Sequence, residues 1–231
     1  MRTSHRKGGG AGQPQGAAFP PACRVCRASR TAPFWSGSDG RYWRCPECLA
    51  TFLDEAQLPT REVELERYRL HQNDPADPGY RAFLNRLARP LLERLPPRQT
   101  GLDYGCGPGP ALAEMLRAAG HDVHLYDPFF HPDAAALERT YDFVTCSEVV
   151  EHFHQPHDEF ARIRRLLRLG GRLAVMTCFQ TDDARFPDWH YRRDPTHVTF
   201  YREATFRHLA ARFGWSCEFP VKDVALLQQG P

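Results

Sequence analysis

Three glycines at alternate positions, Gly105, Gly107 and Gly109, follow an acidic residue, Asp103, at the end of a short apolar segment. Glycine has no Cβ, so a loop of this kind can turn sharply and let its backbone approach a ligand closely. The carboxylate of Asp103 adds a hydrogen-bond acceptor beside the loop. The pattern therefore predicts a loop that binds a nucleotide-like cofactor.

The details of the loop indicate a cofactor without phosphate. A dinucleotide-binding loop has the pattern Gly-x-Gly-x-x-Gly, in which a helix N-terminus faces a pyrophosphate. The third glycine of that pattern would fall on Pro110, and Pro108 removes a further backbone N–H from the loop. Both prolines weaken a phosphate-binding loop, whereas a cofactor such as S-adenosylmethionine loses nothing by them.

A second acidic residue, Asp127, ends the apolar segment 123–126. It lies eighteen residues past Gly109, which leaves room for a helix over about residues 111–119, a stop at Gly120 and a strand. Its two oxygens could accept both hydroxyls of a ribose, although Asp127 could instead begin an Asp-Pro turn and cap the next segment. The predicted cofactor contacts are Asp103, Gly105, Cys106, Gly107, Gly109, Asp127, Pro128, Ser147 and Glu148.

The following segments continue the alternation of strands and helices. An apolar strand is predicted over 141–146, a helix from about 157 to 167, and a second strand over 172–177 after a stop at Gly170-Gly171. Only thirteen residues separate Asp127 from Tyr141, so the intervening strand is shortened or replaced by an irregular loop. An acid that contacts adenine is therefore not assigned, although Asp133 and Glu138 lie in this loop.

The glycine loop, the Glu151-His152-Phe153 stretch and the Leu169-Gly170-Gly171 turn together resemble the class I S-adenosylmethionine-dependent methyltransferases over roughly residues 78–220. The resemblance implies an α/β fold with a Rossmann-like open, mostly parallel sheet flanked by helices. It also implies S-adenosylmethionine as the methyl donor. If the acceptor carries a proton that must leave, the candidates for the base are His152, His197 and Glu148.

Four cysteines form two pairs, Cys23-x2-Cys26 and Cys45-x2-Cys48, with eighteen residues between the pairs. This spacing predicts a zinc ribbon, because each tight turn presents two thiolates and the hairpin predicted over 31–44 brings the turns together. Four thiolates leave no open position, which favours structural over catalytic zinc. Disulfides are disfavoured without a secretion signal, and a redox-active pair would open a helix.

Other residues of the ribbon leave two interpretations open. Four arginines lie beside the cysteines and could offset the charge of a zinc tetrathiolate; they are Arg24, Arg27, Arg41 and Arg44. Trp35, Tyr42 and Trp43 could stack on RNA bases, or they could form the small hydrophobic core of the ribbon. The second interpretation is favoured.

Helical spacing of leucines and aromatic residues predicts a helix over 80–95, with Asp77 as its cap and a bend at Pro90. The charged segment 62–71 is interpreted as a solvated connecting helix, with a cover over the cofactor by Tyr68 and His71 as the alternative. Residues 179–201 are predicted to bind the acceptor, because they leave the carboxyl end of a strand. Their candidate contacts are Trp189, Tyr191, Asp194 and His197, although the aromatic residues could equally lie in the core and His197 could bond a backbone carbonyl.

The chain has 231 residues, 42% of them hydrophobic, and a formal net charge of +2, so charge alone does not argue for nucleic acid. There is no apolar run of eighteen residues and no signal-peptide pattern, which predicts a cytoplasmic protein without a membrane partner. The predicted division is a disordered tail over 1–20, a zinc ribbon over 21–52, a helical linker over 53–77 and a methyltransferase domain over 78–231.

A small-molecule acceptor is favoured by the near-neutral charge and by the histidine-containing segment 179–201. The alternatives are an RNA methyltransferase, acting on rRNA or tRNA, that docks through the ribbon, and a non-catalytic adaptor that binds RNA or protein. A nicotinamide-dependent reductase is the third alternative. It is disfavoured by Pro108 and Pro110.

Overall fold

The computed structural model describes residues 20–70 and 73–230, so the predicted tail and His71 fall outside it except for Pro20. The strands and helices follow in chain order: β1 (Ala32–Gly37), β2 (Gly40–Arg44), β3 (Thr51–Leu53), α1 (Arg61–Tyr68), α2 (Pro78–Leu92), β4 (Thr100–Tyr104), α3 (Ala111–Ala118), β5 (Asp122–Tyr126), β6 (Tyr141–Ser147), α4 (Pro156–Leu166), β7 (Leu167–Met176), β8 (Thr199–Phe200), α5 (Glu203–Phe213), β9 (Trp215–Glu218) and β10 (Val224–Gln229).

The main sheet has six strands in the order β5-β4-β6-β7-β10-β9. The first four are parallel, and β10 runs antiparallel between β7 and β9. Alternate residues of the strands face two separate cores, as the pleat requires. Phe143 packs with α2 and α3 on one face, and Val144 packs with α4 and α5 on the other. The predicted α/β fold, an open and mostly parallel sheet flanked by helices, is confirmed.

The segment between β5 and β6 contains no strand among the described residues, in agreement with the irregular loop predicted there. A 3₁₀ helix covers Ala134–Leu137, and the carboxylate of Asp133 accepts a hydrogen bond from the Ala135 N–H at 2.9 Å. Asp133 therefore caps its own helix. The sheet accordingly ends at β5.

The predicted stop at Gly170-Gly171 is wrong, because β7 runs through both glycines. The pairing of β6 with β7 shifts register between Tyr141 and Phe143. Gly170 has φ +75°, a left-handed conformation that glycine adopts without strain. The glycine pair thus bends the strand at an irregularity, where the sequence alone suggested a turn before a shorter strand.

The ribbon strands form a second sheet in the order β1-β2-β3-β8. Its fourth strand, β8, comes from the segment predicted to bind the acceptor, and Phe52 of β3 pairs with Thr199. The buried cysteines of the ribbon belong to the same hydrophobic cluster as Phe160 of α4 and Tyr201. The ribbon is therefore joined to the larger core, which the sequence did not indicate.

Within residues 20–70 and 73–230, the structure has no helix of the length and apolar character needed to cross a bilayer.

Candidate active site

A cavity of about 760 Å³ opens at the carboxyl ends of β4, β5 and β6. Its walls come from the glycine loop, from the ends of these strands and from α1, with Tyr104 and Tyr126 on one side. The carboxyl edge of a parallel sheet is where α/β folds bind ligands. The volume lies within the range of small-molecule sites, about 300–1,000 Å³.

Two glycines of the loop are required by close contacts. Gly105 has φ +80°, and a Cβ there would lie 2.6 Å from the side chain of Val149. A Cβ on Gly109 would lie 1.9 Å from the carbonyl oxygen of Asn73. The third glycine therefore admits the backbone that leads into α2. From the sequence alone, Gly109 was explained only by the close approach of a ligand.

The two acids beside the loop are both buried. Asp103 accepts a hydrogen bond from Thr145 Oγ1 at 2.7 Å, and burial raises the pKa of its carboxyl to about 6. The Asp127 carboxylate accepts the Gly107 N–H at 3.0 Å, and its other oxygen accepts the N–H groups of Phe129 and Phe130 at 2.8 and 3.0 Å. Asp127 thus caps the turn after β5 and fixes the glycine loop at the same time.

The cavity brings together all nine residues predicted to contact the cofactor. It is also lined by His152, His197, Tyr191 and Asp194. Trp189 does not line it and packs against Phe186, Tyr191 and Phe200. Trp189 therefore lies in the core, which was the alternative to a contact with the acceptor, because its ring completes an aromatic cluster behind the cavity.

A buried network of carboxyl and hydroxyl groups lies at the end of the cavity. Glu151 has no exposed surface and accepts hydrogen bonds from Tyr191 OH at 2.5 Å and Thr177 Oγ1 at 2.9 Å. Burial raises the pKa of Glu151 to about 7. Burial and the nearby Glu151 raise the pKa of Glu148 to about 9. Sequence reasoning missed the roles of Glu151 and Thr177, and their proximity depends on the pairing of β6 with β7.

These two carboxyls predict a dependence of stability on pH. Their pKa values in the folded chain lie above 4.5, the ordinary value for glutamate, so the folded state binds more protons. The extra proton binding stabilises the folded chain. This stabilisation is fully present below pH 4.5 and is lost as the pH rises toward 9. Each whole proton of difference changes the free energy of unfolding by about 1.4 kcal/mol per pH unit.

The matching experiment is urea unfolding at pH 5, 7 and 9. Glu148→Gln keeps the shape of the protonated carboxyl, so its free energy of unfolding should fall less across this range than that of the wild type. Glu138→Gln, at an exposed position, serves as the control and should retain the wild-type slope. A Glu148→Gln profile as steep as the wild type would show that Glu148 is not protonated in the folded chain.

Two histidines face each other at the cavity wall, with ring centroids 4.8 Å apart. His152 Nδ1 lies 2.9 Å from the carbonyl oxygen of Thr196, and His197 Nδ1 lies 2.7 Å from that of Tyr191. A carbonyl oxygen only accepts, so each Nδ1 carries the proton, and in the neutral rings each Nε2 is an acceptor. His152 Nε2 lies 4.0 Å from a Glu151 oxygen. Glu151 and both histidines offer ligand atoms within 4.8 Å of one another, so this group could also hold a cation.

Helix α1 lies over the cavity and is not merely a solvated connection. Arg61, Glu64 and Tyr68 line the cavity, and the Tyr68 ring packs edge-on against His152 at 5.2 Å. Arg67 pairs with Asp194 at 2.8 Å, which ties the helix to the segment that carries His197. The interpretation of 62–71 as a solvated connecting helix is therefore corrected for α1. Arg67 makes an ion pair with Asp194, whereas Arg61, Glu62 and Glu66 of the same helix remain exposed.

The four cysteines of the ribbon are buried and close together. The Sγ atoms of Cys23 and Cys48 lie 3.6 Å apart, as do those of Cys26 and Cys45. A tetrahedral zinc with bonds of about 2.3 Å requires sulfur atoms about 3.8 Å apart, so the set fits this metal. Each turn also directs an N–H at its first thiol, from Cys26 to Cys23 and from Cys48 to Cys45. Zn²⁺ bound here has a structural role, because the four thiolates complete its coordination.

The arginines beside the cysteines do not serve mainly to offset the charge of the zinc site. Arg27 pairs with Asp158 of α4, Arg41 with Asp54 and Arg44 with Asp183. Arg24 is buried against backbone carbonyls. All four therefore contact residues outside the range 21–52 predicted for the ribbon.

The aromatic residues of the ribbon face the methyltransferase core. Tyr42 and Trp43 are 3% and 2% exposed, and Tyr42 packs against Phe186 and Phe200. The Arg192 guanidinium lies over Trp35 at 4.3 Å. The rings are packed as the favoured interpretation requires, but Trp35 and Tyr42 pack against the segment 179–201 and not in a separate core of the ribbon.

Comparison with known proteins shows the family to which the chain belongs. A model of the methyltransferase domain family matches residues 76–218. The biotin biosynthesis bifunctional protein BioCD of Bordetella avium (strain 197N) is 29% identical over 167 residues, which are 62% of this chain and 34% of that protein. The chain thus spans about a third of the length of this curated relative.

Two solved structures from Burkholderia thailandensis are also similar. One is a 1,6-didemethyltoxoflavin-N1-methyltransferase crystallised with 1,6-didemethyltoxoflavin and S-adenosylhomocysteine; it has a TM-score of 0.53, 16% identity, and coverage of 86% of this chain and 99% of that chain. The other is an O-methyltransferase family protein with a TM-score of 0.46, 19% identity, and coverage of 67% and 61%. At these identities the first likeness shows a shared fold.

The fold and the cavity at its carboxyl edge define an α/β methyltransferase. The chain belongs to the methyltransferase domain family, because that family's model matches more than half of it. The resemblance to S-adenosylmethionine-dependent methyltransferases with an N-terminal zinc ribbon is confirmed. The adaptor and reductase alternatives lose their support, because the family is one of methyl-transferring enzymes.

Proposed function

We propose that this chain transfers a methyl group from S-adenosylmethionine to a polar small molecule, which binds between the glycine loop and the histidine pair. The observation that carries this proposal is that Gly105, Asp127, His152 and His197 all line the same cavity. The bound cofactor supplies an electrophilic methyl group on a sulfonium. The chain's own task is to align the acceptor, exclude water and receive a proton.

On the cofactor side, we assign the ribose hydroxyls to Asp127 and the close backbone approach to Gly105 and Gly107. The two Asp127 oxygens are already fixed by backbone N–H groups, so they are held in place before a ligand arrives. Asp103 lies at the end of β4 beneath the loop, where its buried carboxyl can accept a further hydrogen bond. Cys106, Pro128 and Ser147 complete the walls around these groups.

On the acceptor side, we assign the role of general base to His152, with His197 beside it. Hydrogen bonds to backbone carbonyls fix both rings in the tautomer whose Nε2 can receive a proton. Glu151 lies 4.0 Å from His152 Nε2 and, when ionised, would stabilise the imidazolium formed by proton transfer. Glu148, Tyr191 and Asp194 add polar groups for recognition of the acceptor.

A small molecule fits this site better than RNA does. Helix α1 covers the cavity and is tied down by the Arg67–Asp194 pair. Tyr42 and Trp43, which could have stacked on bases, are buried within the chain. A protein of the same fold was crystallised with both a small acceptor and the demethylated cofactor, so the fold can hold the two together.

The acceptor class can be tested with methyl-labelled S-adenosylmethionine and a cell extract separated into RNA, protein and small-molecule fractions. We expect label in the small-molecule fraction. The label should stay absent when the chain is omitted. Label that appears only in RNA would contradict the proposed acceptor class and return the ribbon to a docking role.

The proposed base is tested in the same assay. His152→Ala should reduce methyl transfer by about 100-fold or more, since a general base contributes 10²–10⁴-fold. Affinity for S-adenosylhomocysteine should change by less than twofold, because His152 lies on the acceptor side. His190→Ala, an exposed histidine on the same segment as His197, is the control and should leave both quantities unchanged. Full activity in His152→Ala would remove His152 from the mechanism.

A further inference from the structure

The first cysteine turn of the ribbon carries a buried arginine. Arg24 lies between Cys23 and Cys26, and 6% of its surface is exposed. The arginine guanidinium stays protonated in proteins, so Arg24 is a buried charge. A buried charge needs strong hydrogen-bond partners to offset the loss of water. The atoms that Arg24 contacts therefore matter to the stability of their own segments.

Arg24 donates to carbonyl oxygens of three separate segments. One nitrogen donates to Leu53 at 2.7 Å and to Val198 at 3.4 Å, and the other donates to His154 at 3.0 Å. Val198 directly follows His197. His154 lies two residues after His152. A single guanidinium thus joins the backbones of the two segments that carry the histidine pair.

Backbone hydrogen bonds extend this connection. The Val198 N–H donates to the Glu151 carbonyl at 2.9 Å, and the Leu53 N–H donates to the Val198 carbonyl at 2.9 Å. The carbonyl of Arg24 itself accepts the His157 N–H at 3.0 Å, at the start of α4. Main-chain hydrogen bonds therefore join the acceptor-side segments to the ribbon and to its last strand, β3.

The conformation of the turn that holds Arg24 depends on its cysteines. Arg27 has φ +65°, and its N–H donates to the Cys23 carbonyl at 2.9 Å. A zinc ion bound by all four cysteines would hold Cys23 and Cys26 in this strained turn. The cofactor side is fixed by different contacts, such as Gly107 with Asp127 and Gly109 with Asn73.

We propose that Arg24 is a positioning residue through which the zinc ribbon fixes the two histidine-bearing segments relative to each other. The acceptor side of the cavity then depends on the zinc, whereas the cofactor side does not. The ribbon is in this sense a part of the active site, although it contributes no group that touches a substrate. The inference rests on the proposed roles of His152 and His197.

The test uses the full zinc-bound chain with ¹⁵N-labelled histidine. The ring-nitrogen signals of His152 and His197 report the tautomer and the Nδ1–H bond of each ring, and alanine variants of the two residues assign them. In Arg24→Met the His152 ring should lose its fixed tautomer, because its Nδ1–H bond to the Thr196 carbonyl joins the two segments, while zinc content stays at one per chain and affinity for S-adenosylhomocysteine changes by less than twofold. Arg27→Met is the matched control in the same turn, because Arg27 is exposed and pairs with Asp158. It should leave both rings unchanged.

Arg24→Lys provides a second variant, since lysine keeps the charge but cannot reach three carbonyls with a planar group. The ring-nitrogen signals of Arg24→Lys should lie between those of the wild type and Arg24→Met. If Arg24→Met does not fold, the shift of these signals in Arg24→Lys tests the proposal. Unchanged ring signals in the folded variants would overturn the proposal. So would an equal loss of cofactor affinity, or a failure of both variants to fold, since either would make Arg24 a general stabilising residue. The readout needs no acceptor, so it stands apart from the methyl-transfer assay that tests the histidines.

Discussion

Replacing Asp127 by alanine is expected to weaken binding of S-adenosylmethionine and S-adenosylhomocysteine by about 100-fold or more. A hydrogen bond to a charged group is worth about 1.5–3 kcal/mol, and the proposed ribose contact makes two of them. The variant also removes the carboxylate that fixes the Gly107 N–H and the turn after β5. Both effects act on the same side of the cavity. Calorimetric titration of the variant and the wild type measures the difference.

The chain offers a matched control for this experiment. Asp133 lies in the same loop, and its carboxylate caps a short 3₁₀ helix through the Ala135 N–H. Asp133→Ala should therefore retain affinity within threefold of the wild type. Asp127→Asn should show an intermediate loss of affinity. The amide oxygen can still accept the Phe129 N–H, but the amide NH₂ group then lies against the Gly107 N–H, which it cannot accept. Wild-type affinity in a folded Asp127→Ala variant would exclude Asp127 from the cofactor site.

Loss of the zinc site is expected to destabilise the whole chain. Cys48→Ser should lower the free energy of unfolding by about 3–5 kcal/mol, a range reached when a structural metal is lost. The effect should extend beyond the ribbon, since the cysteines share a hydrophobic cluster with Phe160 and Tyr201. Urea unfolding followed by near-ultraviolet circular dichroism measures the change in the folded core, and elemental analysis should give one zinc per wild-type chain.

Cys217→Ser is the control, because it makes the same substitution at a cysteine outside the zinc site. Cys217 lies on β9 and is half-buried, so its replacement should cost less than about 1 kcal/mol and leave the zinc content unchanged. A zinc-free Cys48→Ser variant as stable as the wild type would contradict the structural role of the metal. A second equivalent of metal in the wild type would instead point to the group formed by Glu151, His152 and His197.

The sequence predicted the order of strands and helices well where a local signal marks each element. Asp77-Pro78 marks the start of α2, and the alternation of apolar residues with glycine stops marks β4 to β6. The glycine loop and the acid after β5 were recognised because their spacing is itself the signal. The same holds for the four cysteines, which lie close together as their spacing requires.

The features that the sequence did not reveal all depend on contacts between distant segments. The addition of β8 to the ribbon sheet joins residues far apart in the chain, and no periodicity announces it. Gly109 could be explained only after Asn73 was seen against it. In the sequence Arg24 is one basic residue among several, and only the structure shows its three carbonyl partners. The charge pattern of α1 was misleading at Arg67, because this residue pairs with Asp194 of a distant segment.

Equilibrium titration of the wild-type chain measures whether the cavity at the carboxyl edge binds S-adenosylmethionine. We expect one S-adenosylmethionine to bind per chain, with competitive displacement by S-adenosylhomocysteine and no effect of NADH or NADPH, because Pro108 and Pro110 leave a poor loop for a pyrophosphate. Displacement by a nicotinamide dinucleotide, or no binding of S-adenosylmethionine at all, would contradict this expectation.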